Sequence, residues 1–270
     1  MLYNAQNGQL TLDSATVHYL QFGKGDKHLI MIPGLGDGLK TAEGMALPVA
    51  YQYRAFAKAG YTVTLISRRE PLPEGFSTRD MAADLAACME QLGIPQADVL
   101  GVSQGGMIAQ WLATDYPERV DKLVLTVTAP CTNSTVETVV PRWMDMALQG
   151  DYAGIMMNTA EKSYSDAYLR KNRLFLPLLG KVGKPKDFTR FLRMANACLT
   201  HDATTHLHAI HSPTLIIGGE QDQIAGSEAS RELHEAIAGS QLHMYPAYGH
   251  ALYEEAKDFV QRVMGFLNAK

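Results

Sequence analysis

Cysteine is scarce in this chain: Cys88, Cys131 and Cys198 are the only three in 270 residues, widely and irregularly spaced. An odd, scattered set makes no disulfide framework and suits free thiols in a reducing compartment, so the cytoplasm is the expected location. Also missing is any uninterrupted apolar run near the ~18 residues a membrane-spanning helix needs. The first residues, Met1-Leu2-Tyr3-Asn4-Ala5-Gln6-Asn7, have neither the basic start nor the apolar core of a secretory leader. Neither a leader nor a membrane partner is expected. Positive charge is sparse too, because 24 Lys and Arg face 28 Asp and Glu for a net charge of −4. The clustered cations are pairs such as Arg68-Arg69 and the spaced lysines of 181–186, a pattern that argues against nucleic acid. No internal repeat and no low-complexity tract interrupts the chain.

What remains is an ordinary globular composition, 46% hydrophobic and 19% charged, enough for one sizeable core that could carry an insertion. Thr16 to Gln21 and Lys27 to Ile32 read as two strands joined by the turn Phe22-Gly23-Lys24-Gly25-Asp26, the second apolar on both faces and so buried centrally. Pro33-Gly34-Leu35-Gly36-Asp37-Gly38 follows as a loop of small residues. The spacing then predicts a helix from Val49 to Ala59 ended by Gly60, a strand over Tyr61 to Ile66, and a helix capped at Ser77-Thr78-Arg79-Asp80 that Gly93 and Pro95 stop. Further strands are expected at Asp98 to Val102, Val120 to Val127, Thr214 to Ile217 and Leu242 to Tyr245. Strands alternating with helices mean a mostly parallel sheet covered on both faces. The rhythm fails between Cys131 and His211, where helical patterns at 143–157, 161–170 and 187–199 suggest an inserted helical lid. Its methionines (144, 146, 156, 157, 194) and phenylalanines (175, 188, 191) are candidates to line a lipophilic pocket or simply to pack the lid helices together.

The stretch that organises the rest is Val99-Leu100-Gly101-Val102-Ser103-Gln104-Gly105-Gly106-Met107-Ile108-Ala109. An apolar run of strand length meets Met107, Ile108, Trp111 and Leu112 at helical spacing, which puts Ser103 at a sharp strand-to-helix corner. Glycines two residues either side of the serine avoid a collision between the arms of the turn. Such a corner lifts the hydroxyl above the sheet and aims the Gln104 backbone N–H and the helix's positive end at one small volume. A serine hydroxyl is a poor nucleophile unless a histidine takes its proton and a carboxylate orients that histidine. The chain offers both on loops after later strands: Asp222 in Gly218-Gly219-Glu220-Gln221-Asp222, and His250 in Tyr248-Gly249-His250.

With these pieces in this order the sequence resembles the α/β-hydrolase family over nearly its whole length. The resemblance implies an eight-stranded, mostly parallel sheet flanked by helices, a core of 1–130 and 212–270, and a helical lid of 131–211 inserted after the sixth strand. It implies Ser103 as nucleophile, Asp222 as orienting acid, His250 as base, and the backbone N–H groups of Leu35 and Gln104 as the oxyanion hole. Two departures stand out. The family's frequent His-Gly before the oxyanion residue is Pro33-Gly34 here, and its frequent Asp-x-x-Gly-x-Gly-x-Ser after the fourth strand is replaced by Ser67-Arg68-Arg69-Glu70, expected near the active-site rim. The loop from Gly38 to Pro48 also looks long.

Rival readings of single residues are weaker. Glu220 is an alternative acid but is expected in solvent. His201, His206, His208 and His211 crowd one segment, yet they lack the interleaved carboxylates of a hydrolytic zinc site; Leu207 and Ile210 are expected to pack and the histidines to be solvated. Gly34-Leu35-Gly36-Asp37-Gly38 has Leu39 where a dinucleotide loop needs its third glycine. Cys131 either borders the pocket or is a small packed thiol. The expected activity is hydrolysis of a small, partly apolar carboxylic ester or lactone through an acyl-enzyme, with no metal or organic cofactor. Ser rather than Asp at the nucleophile position speaks against dehalogenase and epoxide-hydrolase chemistry. Amide cleavage, C–C bond hydrolysis and a slow-turnover small-molecule receptor are the alternatives on the same fold.

Overall fold

A computed structural model describes residues 2–269. One sheet of eight strands runs through it: β1 Gln6–Leu12, β2 Ala15–Gly23, β3 Lys27–Ile32, β4 Tyr61–Ile66, β5 Ala97–Val102, β6 Val120–Thr126, β7 Thr214–Gly219 and β8 Gln241–Tyr245. Their order across the sheet is β1-β2-β4-β3-β5-β6-β7-β8. The β1–β2 and β2–β4 pairs are antiparallel, and every pair from β4–β3 to β7–β8 is parallel.

Two features of the first third differ from the sequence reading. β1 had no counterpart there, because Gln6-Asn7-Gly8-Gln9-Leu10-Thr11-Leu12 is an edge strand whose residues are mostly exposed or half-buried and whose apolar alternation is too short to register. Phe22 to Asp26 does not close a hairpin either, since β4 lies between β2 and β3. Its glycines serve that crossing: Gly23 has φ +89°, and a Cβ on Gly25 would sit 2.8 Å from the Tyr61 backbone nitrogen.

The parallel strands read as continuous apolar runs because alternate residues feed different faces. Ile30, Ile32, Val99, Leu123, Leu125 and Ile216 enter one buried cluster, and Leu29, Met31, Leu100, Val124, Leu215 and Ile217 enter the other. The second cluster takes α1 (Ala46–Gln52) and α2 (Arg54–Lys58), into which the predicted 49–59 helix divides at Tyr53. The first takes α3 (Thr78–Gln91) and α4 (Gln104–Asp115). α3 starts as predicted: Ser77 and Asp80 exchange side-chain and backbone hydrogen bonds in a capping box, worth roughly 1 kcal/mol.

Between β6 and β7 come α5 (Ser134–Leu148), α6 (Tyr152–Ser163), α7 (Asp166–Asn172), α8 (Leu176–Leu179) and α9 (Thr189–Leu199). The predicted helix over 143–157 spans the end of α5 and the start of α6. The break lies at Gly150, with φ +69°, and at Asp151, whose carboxylate accepts the Gly154 N–H and starts a new helix. α10 (Ala229–Ala236), α11 (Leu252–Glu255) and α12 (Phe259–Asn268) complete the fold. Among the described residues no helix is long and apolar enough to cross a membrane.

Candidate active site

Parallel strands end on one edge of the sheet, and the predicted site residues follow those ends: Leu35 after β3, Ser103 after β5, Asp222 after β7 and His250 after β8. Ser103 has φ 55° and ψ −124°, a left-handed conformation that costs about 1–3 kcal/mol and persists because the surroundings over-determine it. Its N–H donates to the Thr126 carbonyl at 2.9 Å, and its carbonyl accepts from Gly106 N–H at 2.8 Å. The flanking glycines are sterically required. A Cβ on Gly101 would meet the Gly105 carbonyl oxygen at 2.5 Å and Gly106 Cα at 2.7 Å, whereas one on Gly105 would strike the Ile32 carbonyl carbon at 2.6 Å. The second clash is with neighbouring β3 rather than with the other arm of the turn, a refinement only the packed sheet provides.

Gly34 brings the β3 loop onto the serine, since a Cβ there would stand 3.1 Å from Ser103 Cβ and 3.6 Å from its Oγ. Leu35 and Gln104 each open a helical turn, and the N–H groups at such starts have no intrahelical acceptor. The acid and base loops meet equally closely: Gln221 N–H donates to the Tyr248 carbonyl at 3.1 Å, and a Cβ on Gly219 would lie 2.8 Å from the Gly249 carbonyl oxygen. His250 Nδ1 lies 3.0 and 2.9 Å from the two Asp222 carboxylate oxygens, and both side chains are buried. Asp222 also accepts the Ile224 and Ala225 N–H groups at 2.8 and 2.9 Å. Burial alone would raise its carboxyl, but the His250 imidazole and the two backbone donors outweigh burial and hold it below the usual carboxylate range.

Ser103 and His250 open into one cavity of about 500 Å³, together with Pro33, Gly34 and Leu35. Trp143, Ile155, Met156 and Phe191 supply much of its apolar wall, and Lys40, Thr159 and Glu254 its polar points. Ser103, Leu35 and Gln104 also line a side chamber of about 30 Å³. Of the methionines and phenylalanines considered for the pocket, Met156 and Phe191 line the main cavity. Met194 is fully buried elsewhere and Phe175 is 67% exposed.

Several single-residue expectations change. Glu220 is not free in solvent; its carboxylate pairs with Arg231 at 2.5 Å, away from His250. Cys131 takes the packed one of its two expected places: it is half-buried and pairs its backbone with Asp202. Leu207 and Ile210 pack as predicted, but His201 is not solvated: it is buried, with Nδ1 2.9 Å from Thr78 Oγ1 and its ring against Trp111. His208 and His211 face solvent. Ser67 and Arg68 are buried beneath the Leu35 loop instead of standing at the rim, because both bind Asp37. The sequence did not mark Lys40, Glu254 or Arg190 for the site; single charged residues on loops and helices carry no periodic signal.

Burial lowers the His201 imidazole from about 6.5 to about 4, so the folded chain holds it neutral while the unfolded chain takes up a proton. Stability should therefore be highest above pH 6.5 and fall by about 3 kcal/mol from this residue as the pH drops through 6.5 to 4. Urea unfolding at pH 7 and pH 4.5 checks this. His201→Gln should flatten the difference by about 2–3 kcal/mol, and an unchanged difference would assign the acid sensitivity to other groups.

Residues 27–257 match the family profile described as the alpha/beta hydrolase fold. A Klebsiella pneumoniae protein named 2-hydroxy-6-oxononadienedioate/2-hydroxy-6-oxononatrienedioate hydrolase is 30% identical, covering 98% of this chain and 94% of its own. A Pseudomonas sp. protein of the same name is 29% identical over 94% and 92%. Among solved structures, the enol-lactonase from Burkholderia xenovorans LB400 superposes with a TM-score of 0.82 at 22% identity, covering 97% of this chain and all (100%) of that one.

Proposed function

Because the chain belongs to the alpha/beta hydrolase family of enzymes, we propose that it is a serine hydrolase acting on a small, partly apolar carboxylic ester or lactone. Ser103 Oγ attacks the carbonyl carbon while His250 takes its proton, and the oxyanion that forms is held by the Leu35 and Gln104 N–H groups. Collapse breaks the bond to the leaving oxygen, which receives the proton from His250. Water then gives a proton to His250 and attacks the acyl-enzyme, and a second collapse frees the acid and restores Ser103. The helices of 131–211 act as a lid over this site, with 1–130 and 212–270 as the catalytic core.

The observation that carries the choice of substrate is the cavity lining. It offers one ammonium, Lys40, against the carboxylate of Glu254, and the carboxylate of Asp37 is occupied by its own partners. A dianionic substrate such as the dioate in the relatives' names would bring two carboxylates to a wall with one cation, at a desolvation cost no second cation offsets. An apolar acyl group meets Trp143, Ile155, Met156 and Phe191 instead.

A panel of p-nitrophenyl esters tests this. Each buried CH₂ is worth up to ~0.8 kcal/mol, about fourfold in binding. kcat/KM should therefore rise from acetate to a medium chain and fall once the cavity is filled, and Met156→Trp should move the optimum to shorter chains. A flat profile indifferent to Met156→Trp would remove the apolar acyl pocket. C–C hydrolysis is the second reading, favoured by the relative that is 30% identical along nearly the whole chain. A 2-hydroxy-6-oxo-dienoate turned over with higher kcat/KM than every ester would replace the first reading with the second.

A further inference from the structure

One row along α9 carries Arg190, Met194 and Cys198, four residues apart. Arg190 grips the turn that contains Leu35. Its guanidinium donates to the Asp37 carbonyl, to the Asp37 carboxylate, and to the Arg68 carbonyl at 3.1 Å. The Asp37 carboxylate also accepts the Ser67 hydroxyl at 2.6 Å and the Arg68 N–H at 3.0 Å, and Arg68 itself donates to the Pro33 carbonyl. Two guanidinium groups thus flank one buried carboxylate directly behind Pro33 to Asp37, with side chains 3%, 10% and 2% exposed for Arg68, Arg190 and Asp37. The same row holds the other donor residue. Gln104 Nε2 donates to the Met194 carbonyl at 2.6 Å and to Cys198 Sγ at 3.0 Å. Contact with the turn is close, for a Cβ on Gly38 would come within 2.9 Å of Phe191 Cα.

We propose that α9 is the common backstop of both oxyanion donors, and that Arg190 is a positioning residue for the oxyanion hole acting through Asp37. The inference rests on the acyl-transfer reading of the Ser103 site. Leu35 is reached from Arg190 and Gln104 from Met194 and Cys198, so a displacement of this one helix changes the separation of the two N–H groups from the developing oxygen anion. α9 lies in the segment inserted between β6 and β7, so the insert contributes to the chemical step as well as to the pocket wall. Arg190 does not line the cavity, whereas its neighbour Phe191 does. Loss of Arg190 should therefore leave ground-state binding nearly untouched. The net positive charge of the pair of guanidinium groups around Asp37 also favours negative charge forming on the near side of the loop.

The experiment compares wild type with Arg190→Gln, Arg190→Lys and Asp37→Asn. The readouts are kcat and KM for the best ester, the inhibition constant of the matching trifluoromethyl ketone, whose adduct with Ser103 places an oxyanion in the hole, and that of the product acid. Losing one oxyanion donor outright costs about 10²–10³-fold in kcat, so a displaced pair should cost about 10–100-fold. In the Arg190 variants KM and product affinity should stay within about threefold, with the ketone weakening in step with kcat/KM. Arg190→Lys keeps the charge and loses the fork, and should fall between wild type and Arg190→Gln. It also serves as the measured variant if Arg190→Gln does not fold. Unchanged kcat with unchanged ketone affinity in either Arg190 variant would overturn the proposal. So would a rise in KM at constant kcat, or lost turnover with full ketone affinity. Wild-type protein that neither hydrolyses esters nor binds the ketone would overturn the Ser103 reading itself, which separates the two failures.

Discussion

Ser103→Ala is expected to lower ester turnover by about 10⁴–10⁶-fold, with the residual rate supplied by the oxyanion donors and by binding. The expectation follows from a position that has little structural reason to be serine. Its backbone sits at φ 55°, where most side chains are strained, and the corner tolerates no Cβ at Gly101 or Gly105. Alanine adopts the same backbone at similar cost and removes only the hydroxyl, so the fold should survive. A fluorophosphonate should label wild-type protein once, at Ser103. Labelling that persists in Ser103→Ala, or that never occurs on folded wild type, would end the acyl-enzyme reading.

Asp222→Asn should be the second-largest loss, up to about 10⁴-fold in turnover, with the cavity intact. The reason lies in who donates to whom. Asp222 Oδ1 accepts two backbone N–H groups, at 2.8 Å from Ile224 and 2.9 Å from Ala225, while the carboxylate faces His250 Nδ1. An asparagine that keeps its carbonyl on the two backbone donors turns its NH₂ toward Nδ1. The imidazole must then accept there and carry its proton on Nε2, the nitrogen that has to take the serine's proton. Glu220→Gln breaks a solvent-exposed pair with Arg231, screened by water, and should cost little stability and little activity. Steady-state turnover of both variants checks the assignment, and the reverse order of losses would move the acid to Glu220.

The parts of this molecule legible in the sequence are those where neighbouring residues must satisfy a local backbone demand. Gly101, Ser103 and Gly105 announce a corner because a Cβ on Gly101 would strike the other arm of the turn and one on Gly105 the end of β3. The apolar runs of β3, β5, β6 and β7 announce buried parallel strands because both of their faces are covered. The Ser77-Asp80 box marks a helix start because its two hydrogen bonds span three residues. Those signals, with a carboxylate and a histidine on later loops, carry the resemblance to the α/β-hydrolase family, and it is the resemblance that nominates Ser103, Asp222, His250, Leu35 and Gln104. Signals fade where local demands are weak, as along the polar edge strand β1, or where two helices share one apolar stripe across Gly150.

Tertiary structure alone decided what depends on pairing across the chain. Glu220 and Asp222 stand two residues apart on one loop; the resemblance favours Asp222 as the acid, but its contact with His250 and the Glu220–Arg231 pair exist only where the β7 and β8 loops meet. Arg190 and Asp37 are 153 positions apart. Ser67 and Arg68, expected near the active-site rim, are buried because Asp37 supplies the carboxylate that makes their burial tolerable. A buried charge is stable only with its partner in place. A sequence shows each charge but not the partner, so the network behind the oxyanion loop became visible only when folding closed it.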